Sequence, residues 1–280
     1  MKNDISPNIK KSHNRIADSY GISPPGIGVK RNSYNAWNFE HNAVKPLSRI
    51  INQYWQNAQI LDAGCGNGQI AEILLNNGVK SVIGVDFSQN MLINALKRFQ
   101  NSDLYDRYSP VKADLESLSM LKNNIFDGAI LFGVLEHLDN PDLVFKNIFQ
   151  TLKKNAVFVV AVPRRGSLTY LSYILFGHSP KRWGTSKRLS DCFNFAEKTN
   201  YYRFYSISRF HKIVSGLTDG RVIERIPFAY SHIDGLAGYP LRLLGKNIVV
   251  GHALLESLDR LCRFTGFIPG GEFWLIKKTA

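Results

Sequence analysis

Cysteine is scarce in this chain: three among 280 residues, Cys65, Cys192 and Cys262, widely separated and odd in number. That pattern argues against a disulfide framework or a zinc site and for a reducing cytosol. No run approaches eighteen apolar residues, so no bilayer-spanning helix is expected. Met1 to Arg15 is polar and lacks the apolar core of a secretory leader. Acidic residues are few relative to basic ones in one half only. Of the formal net charge of +13, residues 1–150 carry +1 (15 Lys+Arg, 14 Asp+Glu) and residues 151–280 carry +12 (20 against 8). The positive field therefore belongs to the second half, and its expected partner is anionic: a membrane surface, a phosphorylated substrate or nucleic acid.

With 44% hydrophobic residues the chain can bury a full core. Residues 1–40 read as an N-terminal arm with a Pro24-Pro25-Gly26 turn, and 41–280 as one α/β domain. A helix is expected over 41–55, then a βα alternation. Gln59 to Asp62 forms a short strand, and Ile70, Ile73 and Leu74 mark a helix face that Gly78 ends. Ser81 to Asp86 is a second strand. Ser88 caps a helix whose apolar face is Met91, Leu92, Ala95, Leu96 and Phe99. A third strand lies around Pro110 to Ala113. The apolar run Phe126 to Val134 suits a central parallel strand covered on both faces. Asn140 or Asp139 caps a helix with Pro141 in its first turn and a buried stripe of Val144, Phe145, Ile148, Phe149 and Leu152. Lys153 and Lys154 suit that helix's negative end. Ala156 to Val162 is a further buried strand, followed by a helix near 206–217 and strands near 221–229 and 271–278. The alternation predicts a doubly wound α/β sheet, interrupted by insertions near 164–205 and 230–268.

Four groups of residues carry chemistry. Gly64, Gly66 and Gly68 form a turn that lets a ligand approach the main chain. Their spacing is G-x-G-x-G with Gln69 next, not the dinucleotide G-x-G-x-x-G, so phosphate cradling is not favoured. Asp62 beside the turn would repel a pyrophosphate and attract an ammonium or sulfonium. Asp86, ending the second strand, can accept hydrogen bonds from ribose hydroxyls. Asp114 can accept from an adenine amino group while the backbone N–H of Leu115 meets a ring nitrogen. Phe132 to Leu138 opens the fourth strand into its loop, at the strand ends where such sheets bind ligands.

Leu61–Gly68, Gly84–Ser88, Ala113–Leu115 and Val134–Leu138, in that order and spacing, resemble the class I S-adenosylmethionine-dependent methyltransferases, in particular the quinone-biosynthesis and small-molecule branch. The resemblance covers roughly residues 58–163. It implies a Rossmann-like, seven-stranded sheet whose last strand is antiparallel, with lid insertions, and S-adenosylmethionine as cofactor. It implies that Asp62 and the Gly64–Gly68 backbone, Cys65 included, hold the methionine moiety. Asp86 would hold the ribose, with Phe87 and Met91 beside the adenosine; Asp114 and Leu115 would read the adenine, and Phe132 would line the pocket. Cys65 itself reads as buried structure, since nothing nearby activates a thiol. If the acceptor is a hydroxyl, His137 is the expected general base, against the plainer reading of a loop histidine that packs or caps. His13, His41, His178, His211, His232 and His252 show no metal-ligand spacing.

The acceptor is expected to be a small hydrophobic or lipid-linked molecule. Residues 164–190 carry Arg164, Arg165, Lys181, Arg182, Lys187 and Arg188, no acid, and the apolar stretch Leu168–Gly177 between them. This suits either an interfacial helix on an anionic bilayer, making the protein peripheral to a membrane, or a substrate cap. Leu241, Leu243, Leu244 and Ile248–Val250, then Leu254, Leu255, Leu258 and Leu261, would complete the lid. Three alternatives stay open. An RNA methyltransferase fits the basic charge, whereas strand four lacks the turn of amino-methylating DNA enzymes. A dehydrogenase is opposed by Gln69 and Asp62. A scaffold that binds the cofactor without catalysis would keep the same motifs.

Overall fold

The computed structural model describes residues 44–171, 203–228 and 248–280. Helix α1 (Lys45–Ile50) starts at Pro46 in its first turn and continues as a wider π turn through Ile51–Trp55, burying Leu47, Ile50, Ile51 and Trp55. Strand β1 (Gln59–Ala63) leads through the glycine turn into α2 (Gln69–Asn76), where Ile70, Ile73 and Leu74 are buried as their spacing predicts. Strand β2 (Ser81–Asp86) is followed by α3 (Gln89–Phe99), whose Ser88 cap accepts from the Met91 N–H. Leu96, expected on the buried face of α3, is 38% exposed; Ala95 and Phe99 carry the contact instead.

Strand β3 (Tyr108–Lys112) begins two residues before the expected segment. It lies at the sheet edge, where Pro110 removes no ladder donor that a neighbour needs. Strand β4 (Phe126–Leu131) stops short of the apolar run, because Phe132 and Gly133 (φ +68°) turn the chain out of the sheet. Helix α4 (Pro141–Thr151) is capped by Asn140 and buries Val144, Phe145, Ile148 and Phe149. Strand β5 (Leu152–Pro163) follows without a loop. Lys153 and Lys154 therefore lie in a strand and not at a helix end; Lys153 Nζ pairs with Asp127 Oδ1 at 2.7 Å. Helix α5 (Ile207–Ser215), strand β6 (Gly220–Phe228), helix α6 (Ile248–Phe264) and strand β7 (Gly271–Lys278) complete the described chain.

The seven strands run in the order β3-β2-β1-β4-β5-β7-β6. The β1–β2, β1–β4, β2–β3 and β4–β5 pairs are parallel, and β7 is antiparallel to both β5 and β6. The expected Rossmann-like α/β architecture is thus present. One core lies on the face covered by α1, α2 and α3, the other on the face covered by α4 and α5. Ile130 and Leu131 of β4 are fully buried between them, each contributing about 1.5–3 kcal/mol of transfer free energy. Sequence direction along the sheet reverses between β1 and β4, so their carboxyl ends flank the crevice in which this topology binds ligands.

The expected N-terminal arm, the basic and apolar stretch of 172–190 and the Leu241–Leu244 segment lie outside the described residues. No described helix is long and apolar enough to cross a membrane.

Candidate functional site

Register brings the singled-out carboxylates to one sheet edge. Ala63 pairs with Val85 and Asp86 with Lys112, so β1, β2 and β3 end side by side. Asp62 is the penultimate residue of β1, Asp86 the last of β2, and Asp114 stands two residues beyond β3. The Ala113 N–H donates to the Asp86 carbonyl at 3.1 Å, carrying β3 past its end toward Asp114.

The glycine turn closes over this edge. Gly64 and Cys65 both donate their N–H to the Val85 carbonyl, at 2.7 and 3.0 Å. Gly64 has φ +78°, and a Cβ there would lie 2.3 Å from Val134 Cγ2, so only glycine lets the turn pass beneath the strand-four loop. The Asp86 carboxylate braces the turn: Oδ2 accepts the Gly66 N–H at 3.0 Å and Oδ1 the Ser88 N–H at 2.8 Å. Each carboxylate oxygen thus holds a backbone donor, out of the roughly four lone-pair positions an ionised carboxylate offers.

Asp62 is 1% exposed, and among the described residues nothing donates a hydrogen bond to its Oδ2. Burial, and then the charge of Asp86, push its pKa up to about 7; the Ala71 N–H opposes this only in part. An orphaned buried oxygen of this kind, beside a second carboxylate, is a place for a cationic donor. Glycine backbone that a ligand can approach and paired carboxylates are what an adenosine carrying an ammonium and a sulfonium requires.

Asp114 is half-buried and caps the turn after β3, its Oδ1 accepting the Glu116 N–H at 3.1 Å; Leu115 is buried. Met91 is buried on α3, and Phe87 is half-buried at the exit of β2. The Phe132 ring stacks on Phe273 of β7 at 5.8 Å, next to the crevice. His137 closes a short 3₁₀ turn (Leu135–His137), its N–H bonded to the Val134 carbonyl at 2.9 Å. Cys65 is buried and accepts the Tyr108 hydroxyl at 3.4 Å; burial and the charges of Asp62 and Asp86 raise its thiol well above the ordinary range, so it stays protonated.

Two supports had no signal in the sequence reading. Arg98 donates from Nε to the Asn67 carbonyl at 2.9 Å and from Nη1 to Glu72 at 2.8 Å, tying the turn to α2 and α3. Tyr108 wedges beside Gly84, where a Cβ would lie 2.5 Å from the hydroxyl. Each pairs residues far apart in the chain. Only the glycine in a buried strand hinted at a close approach.

Residues 61–160 match the methyltransferase domain family. A ubiquinone biosynthesis O-methyltransferase of Rickettsia typhi is 28% identical over 183 residues, 61% of this chain and 72% of that protein. A demethylmenaquinone methyltransferase of Leptospira interrogans is 30% identical over 138 residues, 48% of this chain and 55% of that protein. Among solved structures, an S-adenosylmethionine-dependent methyltransferase from Mesorhizobium loti shares the fold with a TM-score of 0.53 at 18% identity, over 84% of this chain and 98% of that one. The strand order, the glycine turn with its carboxylates and the domain match over residues 61–160 support a class I S-adenosylmethionine-dependent methyltransferase, with S-adenosylmethionine as its cofactor.

Proposed function

We propose that the protein transfers the cofactor's methyl group to a small hydrophobic or lipid-linked acceptor, at oxygen. The observation that carries the cofactor half of this reading is the buried, unpartnered Oδ2 of Asp62, two residues before the glycine turn and coupled to Asp86. When bound, S-adenosylmethionine supplies an electrophilic methyl on a sulfonium leaving group. Asp62 and the backbone of Gly64, Cys65, Gly66 and Gly68 hold the methionine end, and Asp86 accepts from the ribose hydroxyls. Phe87 and Met91 border the adenosine. Asp114 and the Leu115 N–H read the adenine, and Phe132 walls the crevice on the β4 side.

The remaining work is alignment of acceptor and methyl, which is chiefly a proximity effect. His137, on the loop that faces the crevice, takes the proton of a hydroxyl acceptor. The acceptor half rests on the quinone methyltransferases that the chain resembles and on the basic, apolar second half. That half also supports peripheral contact with an anionic membrane from the cytoplasmic side. The test is a search of a lipid extract incubated with the protein and methyl-labelled S-adenosylmethionine. A labelled hydrophobic product is expected; its loss in His137→Ala with cofactor binding kept supports His137 as the base, and label found on an ether oxygen supports oxygen as the acceptor atom. Label appearing only in RNA would replace this reading with nucleic-acid methylation.

A further inference from the structure

Beyond the carboxylate edge, the carboxyl end of β5 opens into a cavity of about 790 Å³ lined by Arg164, Arg165, Gly166, Tyr170, Ser206, Ile207, Ser208 and His211. Among the described residues no acidic side chain lines it. Arg164 is 7% exposed, and among the described residues nothing accepts a hydrogen bond from its Nε or Nη1. Nη1 lies 2.8 Å from Glu272 Oε2, yet that carboxylate is already engaged by Arg225 at 2.9 and 3.2 Å and by the Trp274 indole N–H at 2.9 Å. Two guanidinium groups thus share one carboxylate, and Arg165 adds a third positive charge at the rim.

A second wall supplies oriented donors. Helix α5 begins here, with Ser206 as its cap, and the N–H groups of Ile207 and Ser208 have no partner inside the helix. A helix N-terminus facing arginines is a setting for an oxyanion. Of the remaining lining, His211 and the serine hydroxyls are polar, and Tyr170 and Ile207 supply apolar surface. Tyr170 lies under Arg165 at 6.0 Å, and Ile268, 39% exposed, sits against Gly166. Leu171 and Phe267 are also exposed nearby in sequence. The cavity connects to the loop after β4: Arg164 bridges to Tyr205, whose hydroxyl donates to the Leu135 carbonyl at 3.3 Å, and the Arg203 N–H donates to the Glu136 carbonyl at 3.0 Å.

We propose that this cavity binds a phosphate-type oxyanion carried on the apolar methyl acceptor, with Arg164, Arg165 and the first turn of α5 as the anion's donors. The proposal rests on the methyl-transfer reading above for the identity of the ligand as acceptor. The test is calorimetric titration of the full chain, in phosphate-free buffer, with octyl phosphate below its micellar concentration and separately with inorganic phosphate. One octyl phosphate is expected per chain, held at least tenfold more tightly than inorganic phosphate and weakened at least tenfold by Arg165→Gln, at an exposed position. Ile207→Pro, which removes one of the two helix-end N–H donors at the first helical position, where proline is tolerated, gives a second, smaller weakening. Equal affinity for the two ligands would overturn the assignment in favour of a free anion. So would no binding at millimolar concentration, or binding unchanged in both variants. S-adenosylhomocysteine is titrated in parallel: its failure to bind sinks the methyltransferase reading, whereas its normal binding beside a failed octyl phosphate titration sinks only the acceptor cavity.

Discussion

Replacing Asp62 by asparagine separates the two consequences of burying a carboxylate without a donor. In the folded protein this group is held protonated up to about pH 7, against an ordinary value of 3.8. Because the folded-state value is the higher one, the native state binds the extra proton between these limits, and stability falls as pH rises from about 4 to about 7. Above pH 7 the full cost is present, on the order of 4 kcal/mol. Asp62→Asn removes the charge, though its amide must also be accommodated. The ligand-free variant should therefore gain about 1–2 kcal/mol over the wild type at pH 8 and little at pH 5. A cationic ligand reverses the balance, because it pairs with the ionised carboxylate. Wild-type affinity for S-adenosylmethionine should rise toward tenfold per pH unit between 5.5 and 7, with proton release, and the variant should bind at least tenfold more weakly with a flat profile. Thermal denaturation and calorimetry in two buffers of different ionisation enthalpy measure both. A wild-type affinity that does not change with pH, or a variant that binds as well as the wild type, would refute the reasoning.

Four further outcomes follow from the same geometry. Asp86→Ala should weaken cofactor binding at least tenfold, about 1.4 kcal/mol, since ribose hydroxyls lose their acceptor; unchanged calorimetric affinity would remove Asp86 from the site. Gly64→Ala should cost more than 2 kcal/mol in denaturant unfolding, and Val134→Ala in the same chain should recover part of that, because the added Cβ meets Val134 Cγ2 at 2.3 Å. Cys65 should resist iodoacetamide at pH 8 in the native protein and react once unfolded, as peptide mapping by mass spectrometry reads; rapid native alkylation would contradict its raised pKa. The protein should sediment with anionic vesicles at low salt and detach at high salt; absence of sedimentation would leave the basic stretch as a substrate cap.

Much of the sheet was legible because burial on both faces writes a strand as an apolar run, as at Phe126–Leu131 and Ala156–Val162. Caps were legible too, since Ser88 and Asn140 bond only a few residues ahead. Leu96 misled because five apolar residues on α3 outnumber what one helix face can bury. Lys153 misled because a helix running straight into a strand leaves no turn residue to mark the boundary. The carboxylates of the site could be read from their position at strand ends. The Arg164–Glu272–Arg225 cluster could not, since its members lie up to 108 residues apart and only the antiparallel pairing of β7 brings them together.

A crystal structure of the full chain with S-adenosylhomocysteine would test the account most directly. The account predicts the ribose hydroxyls within hydrogen-bond distance of Asp86, the adenine amino group at Asp114 and the amino-acid end over the Gly64–Gly68 turn beside Asp62. A nucleoside bound elsewhere, with these three side chains facing separate cavities, would contradict it.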